Sequence, residues 1–339
     1  MSGTSKIRID STAGGNGDVW MRLVSFYAVQ ALKNDLKFEI VVPAFLQKLA
    51  EHTFGDRLTI VHDDLKSDYY YTNLGMKDLL KGILSGKKYI SPYQRAVIHD
   101  RKKKRMKDYV NILAFNLADW LGLVQVPKWR WIEKYQGYLD IIGLKRIRNI
   151  SYKEFQDQLH TDYPQISAKL KTDIPISAEL IFPDDLKENV LVYPTGTSRQ
   201  FVPLWWAKKY LPEAYFAFFV KDGDAERFRE SGLKIIYFYK EPGDIIALSH
   251  NAKWTISTDS FPSHLLQSST NQCAITITEV LKSRVISPVF EGKIVDSEVN
   301  CHPCLHLERK AHPVCAAGYK ECLNWKNGLY SENILKSVI

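Results

Sequence analysis

The chain has 339 residues, 45% hydrophobic and 25% charged, with a net charge of +8. That balance excludes a disordered or fibrous protein, and no apolar run approaches the roughly 20 residues a membrane-spanning helix needs. The N-terminus MSGTSKIRID lacks the apolar core of a secretory signal, so the expectation is a soluble, cytoplasmic protein, and the charge suggests an anionic partner or a merely basic surface.

In chain order, β-rich and helical runs alternate. Residues 6–11 read as a strand. Residues 18–33 read as a helix, because Val19, Leu23, Phe26, Tyr27 and Gln30 recur at its period. A strand over 38–42, a helix over 43–52 and strands over 58–61 and 69–72 follow. A long helix over 109–121 stops at Gly122. Pro164, Pro175 and Pro183 interrupt residues 160–188, which marks a domain junction there. The boundaries expected are an N-terminal domain over 1–165, a linker over 166–188 and a C-terminal domain over 189–339. The second half alternates again. Strands are expected at 190–193, 215–220, 234–239, 254–257 and 273–278, with helices at 204–210, 225–231, 244–251 and 262–268. The order predicts two α/β halves, each a parallel sheet with helices on both faces, and a cleft between them. Ligands in such sheets bind beyond the carboxyl ends of the strands.

The first strand leads into AGGNGDVW. Gly14, Gly15 and Gly17 let the backbone turn sharply and approach a ligand. The spacing is not the dinucleotide fingerprint, whose third glycine is occupied by Trp20. Asp18 falls in the first helical turn. There it either compensates the helix dipole or, behind a glycine loop, serves as a general base.

Several stretches resemble glycosyltransferase family 9, the heptosyltransferase-like family. GGNGDVWMRLVSFYAVQAL (14–32) is similar to its N-terminal motif, and YPTGTSRQFVPLWWAKKYL (193–211) to the segment opening its second domain. ISTDSFPSHLL (256–266) resembles its Asp-Ser/Thr-Gly-x-x-His loop. CHPCLHLERKAHPVCAAGYKECL (301–323) resembles its cysteine-bearing tail, and ADWLGL (118–123) also fits. The resemblance implies a GT-B fold of two facing Rossmann-like domains. It implies inverting transfer from a nucleotide-diphosphate sugar without an essential metal, with Asp18 as the base.

On the donor side, the resemblance points to Thr197, Arg199, Asp259, Ser260, Ser263 and His264. A strand end followed by Ser260 as cap and Pro262 in the first turn suits a helix N-terminus that holds phosphate, and Arg199 suits bidentate contact with a diphosphate. The chain departs from the family in three places. The lysine usual a few residues after Arg199 is missing from the shortened segment Gln200-Phe201-Val202-Pro203, Phe261 replaces a glycine, and Thr278-Glu279 replaces Gly-Pro-Thr. These changes surround the donor pocket, so an ADP-linked heptose is not implied by the motifs alone. Asp222-Gly223-Asp224 has the look of a metal-binding Asp-x-Asp, but it also fits a strand-to-helix turn capped by Asp224.

Cys301, Cys304, Cys315 and Cys322 follow C-x2-C-x10-C-x6-C. The first pair has metal-knuckle spacing and suits structural zinc. The second pair is wider, which leaves reduced thiols or a redox-sensitive disulfide open. HDRKKKRMKD (99–108) concentrates six basic residues. It is a solvated loop or, through Lys102, Lys103, Lys104 and Arg105, a patch for an anionic acceptor. Two acceptors fit the resemblance and the charge. One is a lipopolysaccharide or other cell-envelope glycan, reached by a protein peripheral to the inner membrane. The other is a hydroxylated base in duplex DNA, flipped out for modification.

Overall fold

The computed structural model describes residues 5–62, 66–71, 82–90, 113–114, 117–125, 144–195, 202–277, 285–296 and 336. The chain divides into two compact units that meet in sequence between Gln165 and Ile166. Each is a doubly wound α/β unit, the architecture expected from the alternation of strands and helices.

The first unit holds β1 (Ser5–Asp10), α1 (Asn16–Leu32), β2 (Leu36–Val41), α2 (Gln47–Phe54), β3 (Thr59–Val61), β4 (Tyr69–Tyr71), β5 (Tyr89–Ile90) and β6 (Val124–Gln125). Its parallel sheet runs β3-β2-β1-β4-β5-β6. In β1 and β2, Ile7 pairs with Phe38 and Ile9 with Ile40. All four are buried, as central parallel strands require. Helix α1 is apolar around most of its first three turns. It buries Trp20 against Phe54 at 5.1 Å and Phe26 against Phe38 at 5.1 Å. The predicted helix over 43–52 is a 3-10 turn, Ala44–Leu46, followed by α2. Pro43, before the first turn, fixes φ but offers no N–H.

Helix α3 (Tyr152–Lys169) corrects the reading of residues 160–169 as irregular. Its start is capped reciprocally. The Glu154 N–H donates to Ser151 Oγ at 3.1 Å, and the Ser151 N–H donates to the Glu154 carboxylate at 2.7 Å. Pro164 sits inside it, and burial of Phe155, Leu159, Tyr163 and Ile166 outweighs the one backbone bond that proline removes.

The second unit adds β7 (Val190–Tyr193), α4 (Leu204–Tyr210), β8 (Tyr215–Phe219), α5 (Asp224–Glu230), β9 (Lys234–Phe238), α6 (Gly243–His250), β10 (Trp254–Thr258), α7 (Phe261–Gln267), β11 (Cys273–Ile277) and β12 (Lys293–Asp296). Its parallel sheet runs β12-β11-β10-β7-β8-β9. Val192, Trp206, Phe216, Phe218, Phe228 and Ile256 form one core cluster.

Buried Asp244 holds this unit's N-terminal loop. Its carboxylate accepts the Ser177 N–H at 2.7 Å, the Ser177 hydroxyl at 2.8 Å and the Tyr239 N–H at 2.8 Å. Among the described residues, no helix is long and apolar enough to cross a membrane.

Candidate active site

Both sheets have a switch point, where the chain leaves one side of a central strand and returns on the other. In the first sheet it lies between β1 and β4, and in the second between β7 and β10. Crevices beyond the carboxyl ends of strands form at such points. The glycine loop and Asp18 follow β1 at the first, and Asp259, Ser260, Ser263 and His264 follow β10 at the second.

In the first unit, β1 ends at Asp10, whose carboxylate accepts the Thr12 N–H at 2.9 Å and hydroxyl at 2.6 Å. Gly14 follows with φ +99°, a backbone conformation for which glycine is suited. Gly15 is extended, with φ −75° and ψ 159°, and serves as the N-cap of α1. Helix α1 therefore starts two residues before Asp18, not at it. Asp18 takes the third helical position, and its Oδ2 accepts the Gly15 N–H at 3.0 Å. The carboxylate thus closes the glycine turn on itself.

Arg22, one turn on, is a residue that sequence reasoning missed. It is buried. Its Nε donates to the Asp18 carbonyl at 3.2 Å, and its Nη2 donates to the Ala13 carbonyl. Its guanidinium lies 4.2 Å from the ring centroid of Tyr71, at the end of β4. Arg22 therefore spans the switch point, tying the loop after β1 to β4. Its signal in the sequence is a lone cation in the apolar run VWMRLVSFYAV.

In the second unit, Asp259, Ser260, Ser263 and His264 come together at the turn after β10. Ser260 is the N-cap, with φ −157° and ψ 177°. Its hydroxyl donates to the Thr258 carbonyl at 3.1 Å. The Ser263 hydroxyl donates to the Ser260 carbonyl at 2.7 Å and accepts the Ser260 N–H at 3.2 Å. His264 Nε2 stands 3.7 Å from Asp259 Oδ1, both side chains nearly enclosed. The His264 N–H reaches the Ser260 carbonyl at 3.4 Å and Pro262 has none.

Asp222 and Asp224 are engaged otherwise than as a metal pair. Asp222 Oδ1 accepts the Asp224 N–H at 2.9 Å, and its Oδ2 accepts the Thr195 hydroxyl at 2.9 Å. Asp224 pairs with Arg227 at 2.8 Å. The N-cap is thus Gly223 rather than Asp224, and the Asp222 carboxylate, which accepts the first helical N–H, links the loop after β7 to the end of β8. Among the described residues, no group of three or more His, Cys, Asp or Glu is placed to hold a metal ion. Thr197, Arg199, Lys102, Lys103, Lys104, Arg105, Cys301, Cys304, Cys315 and Cys322 lie outside the described residues.

Two doubly wound α/β units, each with a polar loop at its switch point, define a double Rossmann-like protein. Among solved structures, the glycosyl transferase family 9 protein from Veillonella parvula DSM 2008 is similar with a TM-score of 0.52 and 11% identity, over 88% of each chain. E. coli ADP-heptose lps heptosyltransferase II is similar with a TM-score of 0.50 and 12% identity, over 98% of this chain and 97% of that one. The fold is therefore that of the heptosyltransferase-like glycosyltransferases. No family model and no curated protein matches the sequence.

Proposed function

We propose that the protein is an inverting glycosyltransferase. It would move a sugar from a nucleotide-diphosphate donor to a hydroxyl of an anionic acceptor, a cell-envelope glycan of the lipopolysaccharide type. The observation that carries this reading is Asp18 at the first switch point, its carboxylate fixed by the Gly15 N–H at 3.0 Å in a chain with the fold of such enzymes. As the acceptor oxygen bonds to the anomeric carbon, Asp18 takes its proton and the bond from that carbon to the diphosphate oxygen breaks. One carboxylate oxygen is tied to the loop, and the base needs only the other. Arg22 holds the Ala13 carbonyl and so fixes the loop that carries the base.

The departing diphosphate needs cationic or dipolar partners. Arg199, Thr197 and the turn of Asp259, Ser260, Ser263 and His264 are the proposed donor contacts. A metal is not required in this reading, since these side chains and a helix N-terminus take the leaving group's charge. Lys102, Lys103, Lys104 and Arg105 are the proposed acceptor contacts.

The test is nucleoside diphosphate release from a panel of nucleotide sugars, with phosphorylated core oligosaccharide or hydroxymethylated duplex DNA as acceptor. Asp18→Asn keeps the shape and removes the base, so turnover should fall by about 10²–10⁴ with donor affinity retained. Turnover above about a tenth of wild type would remove Asp18 from the reaction. Transfer to DNA alone would replace the glycan acceptor.

A further inference from the structure

The edge of the first unit's sheet carries an exposed apolar face. Helical residues 117–120 lead through the turn at Leu121 and Gly122 into β6. Ala118 packs inward in a cluster with Tyr89 and Val124. Leu117, Trp120 and Leu121 stand at i, i+3 and i+4, positions that share one helical face, and they are 54, 78 and 54% exposed. Helical Leu113, four residues before Leu117, is 75% exposed. Ile83 packs on the Tyr89–Ala118–Val124 cluster, and its neighbour Leu84 is 87% exposed. Single exposed leucines need no explanation, but large apolar side chains gathered about one edge do.

Cations frame this face. Gly122 turns with φ +73°, and a Cβ there would stand 3.0 Å from Lys145 Nζ, so that ammonium lies against the turn beside Leu121. Tyr89 pairs with Val124. This sets exposed Lys87 and Lys88, which lead into β5, beside the turn that leads into β6. Arg146 is exposed next to Lys145. The carboxylate of Asp119 is engaged by Arg148 at 3.2 Å.

We propose that this face docks on an anionic lipid bilayer. Leu113, Leu117, Trp120 and Leu121 would enter the boundary between headgroups and acyl chains. Lys87, Lys88 and Lys145 would meet anionic headgroups. Apolar side chains that include a Trp, rimmed by lysines, suit a surface that is hydrocarbon below and anionic above. A nucleic acid would engage the lysines and leave the leucines in water. The turn precedes β6, whereas the Gly14 loop follows β1, so in this parallel sheet docking engages the end of the strands opposite that loop. The inference does not rest on sugar transfer, and its test uses none.

Flotation of the full chain with phosphatidylcholine vesicles, with and without phosphatidylglycerol, decides it at about 0.15 M salt. Wild type should float with the anionic vesicles and stay behind with the neutral ones. Leu117→Ser/Trp120→Ser/Leu121→Ser should lower the bound fraction at least about tenfold, because the apolar contribution is lost. Lys87→Ser/Lys145→Ser should lower partition about fivefold per cation removed. Both variants change exposed side chains and should keep the wild-type unfolding midpoint. Brominated lipid should quench wild-type tryptophan fluorescence, and quench Trp120→Phe measurably less. Wild type that ignores anionic vesicles, or a triple Ser variant that floats as wild type does, overturns the proposal. So does a wild-type dimer that the triple substitution makes monomeric, since the face would then bind a second copy of the chain.

Discussion

Replacing Gly14 with Ala should destabilise the first unit, and replacing its neighbour Gly15 should do so far less. Gly14 has φ +99°, and a Cβ there would stand 3.0 Å from Asp18 Oδ2 and 3.3 Å from Arg22 Nη2. Both contacts are tighter than ordinary van der Waals approach. A residue other than glycine held in a sparsely populated backbone region costs about 1–3 kcal/mol. Neither neighbour yields easily, since Asp18 is bonded to the Gly15 N–H and Arg22 to two carbonyls. Gly15 has φ −75°, and its Cβ would meet Asp18 Oδ2 at 3.6 Å. Its substitution costs only the weaker capping preference of Ala, below about 1 kcal/mol. Urea unfolding of both variants, read by circular dichroism, tests the difference. Gly14→Ala should lose about 2 kcal/mol and Gly15→Ala well under half of that. Equal losses, or a Gly14→Ala variant within about 0.3 kcal/mol of wild type, would refute the steric reasoning.

His264→Ala should weaken binding of the donor's nucleoside diphosphate by about 1.5–3 kcal/mol, the range for a hydrogen bond to a charged group. Calorimetry that finds unchanged affinity would move the donor contacts elsewhere. Asp244→Ala should cost the second unit about 3–5 kcal/mol, because the buried Ser177 N–H and hydroxyl and the half-buried Tyr239 N–H lose a charged acceptor. A thermal midpoint unchanged from wild type would show that the staple is dispensable. The Tyr215 hydroxyl donates to Asp185, and this hydrogen bond is the main cause that lowers the Asp185 pKa. Its stabilisation is therefore complete above the carboxylate's unfolded pKa and is lost as pH falls through the folded one. The stability gap between wild type and Tyr215→Phe should thus be constant from about pH 8 to 5 and shrink below about pH 4. A gap that does not shrink would mean the hydroxyl acts through packing alone.

What was legible in the sequence was what is local in the chain. The glycine loop, Asp18 and the Ser260–His264 turn are each built by residues within a few positions of one another, and turn chemistry marks them. Strands β7 and β8 are legible because each is an apolar run, β9 because four apolar residues follow Lys234, and β10 because Trp254, Thr255 and Ile256 are strand-favouring residues. Strands β5 and β6 were missed because two residues carry no period. Strand β12, KIVD, is equally short of signal, with charges at both ends. Helix α3 was obscured by Pro164, whose local penalty is outweighed by burial. The roles of Arg22 and Asp244 depend on contacts that the fold creates. Tyr71 lies far along the chain from Arg22, and Ser177 is 67 residues from Asp244.

The strand orders also carry a consequence for synthesis. In β3-β2-β1-β4-β5-β6 and in β12-β11-β10-β7-β8-β9, every strand after the founder hydrogen-bonds to one made earlier. Strands β2 and β3 extend one flank of β1, and β4, β5 and β6 the other. Strands β8 and β9 do the same for β7, then β10, β11 and β12. Among the described strands, each new one finds its partner already made as the chain grows from its N-terminus, and the flanks that wait longest are those of β1, for β4, and of β7, for β10. Those flanks stay uncovered only until β4 and β10 emerge. Parallel pairing is slow because it is non-local, and this order confines the interval in which an unpaired apolar edge can aggregate on the ribosome.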